Sequence, residues 1–139
     1  MRDYRALFDK SFGRLAADPD EYRDFLTRFY EHFVASSEEA ERHFRGTDMV
    51  RQRRMLARSL NEIIDFSRTG VASEYLRQVA RRHSRDARDV RPELYALWLD
   101  SLVATAQEFL PGFDQDSELA WRVVLAPGVT YMQFRYDRP

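Results

Sequence analysis

The chain has 139 residues, 44% of them hydrophobic and 14% aromatic, which is enough for a single domain with a core that can surround a ligand. Its net charge is −1, so no overall field draws it towards nucleic acid or an anionic membrane, and neither is expected as a partner. The chain has no cysteine, which excludes disulfides, thiolate metal ligands and iron–sulfur clusters.

Residues 1–5 lead into no apolar run, so we expect no signal peptide, no membrane span and a cytoplasmic protein.

The first elements along the chain are predicted to be helices. Apolar residues recur at three- and four-residue steps, which predicts a helix from about Tyr4 to Leu15. Asp18 can cap a second helix with Pro19 at its first position, and the apolar face of that helix extends to Phe33.

The middle of the chain predicts a short helix, a loop and a long helix. The acidic stretch after Ser36 and Ser37 indicates the start of a short third helix that reaches Phe44. After a loop over residues 45–48, a long helix runs from about Met49 to Ser67, and Gly70 is its stop signal. No segment alternates in the manner of a strand, so the fold class is all-α.

The last part of the chain predicts three more helices. One spans roughly residues 72–82 and brings His83 to its end, and a charged corner follows over residues 84–91. The next helix starts at Pro92 and is broken by Pro111 and Gly112, and the final helix begins near residue 116 or 117.

A proline and a glycine stand inside the pattern of the final helix. An interior proline removes a backbone donor and typically costs about 3 kcal/mol. At Pro127 and Gly128 we therefore expect a kink, or two shorter helices joined there. The pair has no assigned function.

His83 is the residue that points most directly to chemistry. It follows Leu76 and Val79 by seven and four residues, so it lies on the apolar face of its helix. A lone histidine on such a face is usually a core residue with a hydrogen-bonded ring. Neutral imidazole is also a ligand for haem iron, and the residues elsewhere in the chain favour that second interpretation.

Four short motifs together resemble the globin domain of flavohaemoglobins and bacterial haemoglobins. They are Phe29-Tyr30-Glu31-His32-Phe33, then Phe44, then Gln52-Arg53-Arg54-Met55-Leu56, and finally Val79-Ala80-Arg81-Arg82-His83 with Pro92-Glu93-Leu94-Tyr95 after it. The resemblance covers about residues 25–121. It implies one globin domain over residues 1–139, with helices packed three-on-three around haem b.

The resemblance assigns a role to each motif. It makes His83 the proximal iron ligand on the stretch that begins at Val79, and it makes Phe44 the ring that wedges against the haem plane. Tyr30 and Gln52 become the polar residues of the distal side. A phenol and an amide donor stabilise a gas ligand that carries partial negative charge. Leu56 then forms the apolar ceiling above the haem.

Two further residues complete the expected site. Arginine binds carboxylates bidentately, and among the two arginine groups near the expected pocket Arg82 is the first choice for a haem propionate. Tyr95 matches the tyrosine that packs behind the proximal histidine in the flavohaemoglobin pattern, although an ordinary core tyrosine is an equal alternative. His32 and His43 are expected at the surface or the rim.

The sequence departs from the family pattern in three places. The last helix lacks the glutamate that makes the proximal imidazole more basic, and residues 134–137 stand there instead. The loop after Phe44 is shorter, which makes the alignment of Gln52 less secure than that of Tyr30. The corner between His83 and Pro92 is longer. These departures favour a separate single-domain branch without the strong electron push that activates oxygen or peroxide.

The expected function is reversible binding of dioxygen, carbon monoxide and nitric oxide, for oxygen binding, scavenging or sensing. A first alternative is a nitric oxide dioxygenase or a peroxidase-like enzyme fed by a separate reductase. A second is a haem-free regulatory module with a globin fold, and a third is a helical bundle with an incidental histidine. A monomer or a homodimer is compatible with the sequence.

Overall fold

The computed structural model describes residues 3–139, and over that range the chain folds into seven α-helices without a strand. In chain order they are α1 (Tyr4–Ala16), α2 (Pro19–Ala35), α3 (Glu38–Phe44), α4 (Met49–Thr69), α5 (Glu74–His83), α6 (Pro92–Phe109) and α7 (Gln115–Arg135). None of these helices is long and apolar enough to cross a membrane. The all-α prediction is confirmed.

Short polar side chains fix where most helices begin. A side-chain oxygen of the residue before the helix accepts a hydrogen bond from a backbone N–H of the first turn, which satisfies a donor that has no partner within the helix. The capping residues are Asp3, Asp18, Ser37, Asp48, Ser73 and Asp114. Because Ser73 is a cap, α5 begins at Glu74, two residues later than predicted.

Helix packing divides the interior into a filled half and an open half. In the filled half α1 packs against α7, and α2 packs against α6. The indole of Trp121 lies there within about 6 Å, centroid to centroid, of four phenylalanine rings. Its Nε1 donates a hydrogen bond of 2.9 Å to Ser11. The open half lies between α4, α5 and the second half of α7.

The last helix differs from the prediction. Instead of dividing at Pro127, α7 continues as one helix through to Arg135, so the expectation of two shorter helices is wrong. It also begins slightly earlier than predicted, at Gln115, because Asp114 caps it. Tertiary packing of its apolar face outweighs the loss of one backbone donor.

Gly128 has a packing role in α7. A Cβ atom built on Gly128 would lie 2.5 Å from Cγ2 and 2.9 Å from Cγ1 of Ile63, which is closer than real side chains approach. The glycine therefore lets α7 cross α4 at close range, and this crossing forms the floor of the open half.

Candidate functional site

A cavity of about 870 Å³ occupies the open half of the molecule. This volume lies within the range of about 300–1,000 Å³ that is typical of cofactor and small-molecule sites. All the residues that the sequence singled out for a site line this one cavity: Tyr30, Phe44, Gln52, Leu56, Val79, Arg82, His83 and Tyr95. They come from five helices, and only the tertiary fold brings them together.

His83 stands at the last position of α5 with one side of its ring facing the cavity. Its Nδ1 lies 2.7 Å from the carbonyl oxygen of Val79, one helical turn earlier. A carbonyl can only accept, so Nδ1 carries the proton and donates it. The lone pair of the unprotonated ring nitrogen is therefore on Nε2, for which no protein partner occurs among the described residues.

Burial keeps the His83 ring neutral. It lowers the pKa of His83 from its ordinary 6.5 to about 4, mainly because the charged imidazolium would lose its hydration. The positive charges of Arg88 and Arg82 lower the pKa further, while the bond to Val79 acts in the opposite direction. Around neutral pH the ring is an electron-pair donor, which is the form that binds metal ions.

Tyr30 and Gln52 form a hydrogen-bonded pair on another wall. The amide nitrogen of Gln52 donates to the Tyr30 hydroxyl over 3.2 Å, and that hydroxyl donates to the backbone oxygen of Gln52 over 3.4 Å. Tyr30 is only 6% exposed, and burial raises the pKa of its phenol, so the group keeps its proton. This part of the wall therefore carries neutral hydrogen-bonding groups beside apolar side chains such as Phe44 and Leu56.

Aromatic and aliphatic side chains make up much of the remaining wall. The ring of Phe44 packs edge-on against Tyr30 at 5.3 Å and against Phe33 at 5.7 Å between centroids. Leu56 is 5% exposed and lies one turn beyond Gln52 on α4. Rings and branched aliphatic groups of this kind suit a large flat apolar ligand.

Tyr95 also lines the cavity and is buried. Burial raises the pKa of its phenol. No carboxylate of the described residues is hydrogen-bonded to its hydroxyl. At the end of α7 the hydroxyl of Tyr136 instead donates to Asp89 in the corner after α5.

The corner over residues 84–91 is fastened to the end of α7. The backbone N–H of Arg85 donates to the carbonyl of Tyr136 over 3.0 Å, and the guanidinium of Arg85 lies over the Tyr136 ring and pairs with Asp137. Asp89 adopts a positive φ of 53°, which these bonds hold in place. The corner follows His83 directly, so this clamp fixes the end of α5.

Cationic side chains surround the cavity mouth. Arg82 is exposed and lines the cavity, as the sequence predicted, and Arg42, Arg51 and Arg88 line it too. None of these four has a carboxylate partner in residues 3–139. His43 is half-buried at the cavity, whereas His32 lies away from it and pairs with Glu108.

Sequence reasoning missed several other lining residues. Met55, Ser59 and Ile63 follow Gln52 at helical spacing, so the periodicity of α4 could have identified them. Tyr75, Trp98 and Met132 also line the cavity, but nothing in their local sequence distinguishes them from core residues. Their position depends on how α5, α6 and α7 pack.

An all-α fold whose helices surround a large cavity, with the neutral ring of His83 on its wall, is the architecture of the globin class. A solved structure from Pseudomonas aeruginosa, described as structurally highly homologous to a human haemoglobin, matches this chain with a TM-score of 0.85. The two sequences are 34% identical over 96% of this chain and 98% of that chain. No protein-family model and no curated protein matches. The chain belongs to the bacterial single-domain globins.

Proposed function

We propose that this globin binds haem b at His83 and reversibly binds dioxygen and other diatomic gases there. The observation that carries the proposal is the state of the His83 ring. Its Nδ1 is tied to Val79 and its Nε2 is free on the wall of a cavity of about 870 Å³. A hydrogen bond at one ring nitrogen is the usual device that fixes a histidine for ligation through the other.

The surrounding residues fit haem. Phe44, Leu56 and Val79 would hold the faces of the macrocycle, and Arg82 would hold a propionate at the mouth. Bound haem supplies an iron whose open coordination position takes dioxygen, carbon monoxide or nitric oxide. A haem-free regulatory module is expected to fill such a space with side chains, and the open cavity speaks against that alternative.

The distal pair sets the expected gas chemistry. Tyr30 and Gln52 present a phenol and an amide in a poorly hydrated space, where hydrogen bonds to a partly negative ligand are strengthened. Such a pair holds dioxygen tightly and slows its release. Scavenging or sensing of oxygen therefore fits this site better than bulk transport, with a separate reductase as the source of electrons.

The deciding experiment is the visible spectrum of the protein after reconstitution with haemin. We expect a sharp Soret band that shifts on reduction, with carbon monoxide and in air. His83→Ala should lose or alter this spectrum, because it removes the axial ligand. His32→Ala is the matched control, since His32 lies away from the cavity and should leave the spectrum unchanged.

Either of two results would overturn the proposal. One is failure of the folded protein to take up haemin. The other is a spectrum that is the same in wild type and His83→Ala, which would return the histidine to the role of a core residue.

A further inference from the structure

A second concave site lies outside the cavity, in the groove between α4 and α5. This outer cleft has a volume of about 540 Å³ and is lined by Arg51, Arg54, Met55, Arg58, Glu74, Tyr75, Gln78 and Arg82. It adjoins the cavity, with which it shares Arg51, Met55, Tyr75 and Arg82. Arg54, Arg58 and Gln78 line the cleft and do not line the cavity.

The charges of the outer cleft are unbalanced. Several arginines on other parts of the described surface are ion-paired, for example Arg68 with Asp9 at 2.9 Å and Arg91 with Glu39 at 3.1 Å. By contrast, no carboxylate of residues 3–139 pairs with any of the four cleft arginines. A protein with a net charge of −1 thus gathers four uncompensated cations in one groove.

The one acid of the outer cleft does not neutralise these cations. Glu74 is held at 2.7 Å by Arg77 and at 3.1 Å by Arg81, and neither of these arginines lines the cleft. Glu74 also accepts a hydrogen bond of 3.4 Å from the amide of Gln78, and four arginines to one acid leave the cleft electrostatically positive.

The cleft is also partly ordered for binding. The guanidinium of Arg58 lies 4.0 Å from the centre of the Tyr75 ring, which limits the conformations that the long side chain can take. Arg51, Arg54 and Arg58 recur at three- and four-residue steps along α4, so they share one face of that helix. Gln78 and Arg82 are four residues apart on the facing helix α5.

From this arrangement we propose that the outer cleft binds a small polyanion carrying two or more phosphate groups. Guanidinium groups bind phosphate oxygens in a bidentate manner, and even with Arg82 held by a haem propionate the remaining three exceed what one singly charged carboxylate would satisfy. A ligand held by Arg54 and Arg58 from α4 and by Gln78 from α5 bridges the two helices that wall the cavity. Such a ligand would therefore hold α4 and α5 together along this side of the cavity.

The test uses inorganic tripolyphosphate as the probe, titrated by calorimetry into the full chain, with and without haem, at about 0.15 M salt to screen weak surface attraction. We expect saturable binding in both forms. Arg54→Gln/Arg58→Gln should weaken it at least tenfold. Arg53→Gln is the matched control: it removes a charge from the same helix, but Arg53 lines neither the cleft nor the cavity, so its affinity should stay close to that of the wild type.

Circular dichroism checks that every variant is folded. Three results would overturn the proposal. The first is absence of saturable binding. The second is an equal loss per charge in Arg53→Gln, which would indicate only general electrostatic attraction. The third is binding that disappears once haem is loaded, which would mean that the haem carboxylates already occupy these arginines. Binding by a protein that takes up no haem would support the cleft and overturn only the proposed gas function.

Discussion

At the scale of single residues, the site depends on which hydrogen-bonding atoms are left free. The His83 side chain is half-buried and Tyr30 is buried, and the loss of hydration keeps both in their neutral form. The imidazole thereby keeps its lone pair and the phenol keeps its proton. One group can donate electrons to a metal, and the other can donate a hydrogen bond.

Tyr30→Phe should speed dioxygen release. The change removes the buried hydroxyl that Gln52 now holds at 3.2 Å, and a hydrogen bond to a charged group contributes about 1.5–3 kcal/mol, so the off-rate should rise about tenfold or more. Stopped-flow displacement of dioxygen by carbon monoxide measures it. Tyr22→Phe is the control, because the buried Tyr22 hydroxyl has no partner and lies away from the cavity. An off-rate within twofold of wild type would remove Tyr30 from the site.

The haem-free protein should lose stability in mild acid because of His83. Its pKa is about 4 in the folded chain and about 6.5 when unfolded, so below pH 6.5 the unfolded state binds a proton first. The free energy of unfolding should therefore fall as pH drops from 6.5, by about 3 kcal/mol at pH 4. Urea unfolding at a series of pH values measures the slope.

The matched variant for this pH dependence is His83→Phe, which cannot take up a proton. Between pH 6.5 and 5 its stability should be nearly flat, since the carboxylates titrate lower. The assignment fails if wild type and His83→Phe show the same slope over that range.

At the scale of elements, the crossing of α4 and α7 shows that helix packing can outweigh the intrinsic preference of a helix for alanine over glycine. Alanine favours a helix over glycine by about 1 kcal/mol. At Gly128, however, a methyl group would collide with Ile63. The same substitution should therefore have opposite effects at two helical glycines of this chain.

Gly128→Ala should lower the free energy of unfolding by about 1–3 kcal/mol, because α7 must move away from Ile63 to admit the new methyl group. Gly13→Ala is the control: a Cβ on Gly13 in α1 meets nothing within 4 Å, so it should stabilise by about 0.5–1 kcal/mol. Thermal and urea unfolding measure both variants. Stabilisation by Gly128→Ala would show that the crossing is loose.

At the scale of the whole molecule, the ring cluster around Trp121 and the cavity lie in different halves. The ring cluster around Trp121 fills one half, and none of its members lines the cavity. The other tryptophan of the chain, Trp98, lies on the cavity wall, with its ring 6.0 Å from that of Phe29.

Replacing each of the two tryptophans by phenylalanine should therefore have different effects on stability and on the Soret band. Trp121→Phe removes packed atoms and the hydrogen bond to Ser11, so it should cost about 1–3 kcal/mol of stability and leave the Soret band of the haem-loaded protein in place. Trp98→Phe should shift that band, because it changes the cavity wall. A Soret shift in Trp121→Phe would contradict the separation of the two halves.

Much of this fold follows from local sequence. The caps Asp18 and Ser37, the stop at Gly70 and the three- and four-residue apolar spacing predicted the helices to within a few residues. These signals are local because a helix satisfies its backbone groups within a few residues of the same segment. The motif around His83 likewise pointed to the residues that line the cavity, and the all-α globin fold is confirmed.

Only the tertiary structure decided what these residues meet. It pairs Tyr30 with Gln52, sets Gly128 against Ile63 where α4 and α7 cross, and places Arg54 and Gln78 in a groove whose four arginines have no carboxylate partner among residues 3–139. Such contacts join residues far apart in the chain, and they depend on the angle and depth at which whole helices pack. Local sequence determined the elements and the chemistry each carries, whereas packing determined which groups remain free to bind a ligand.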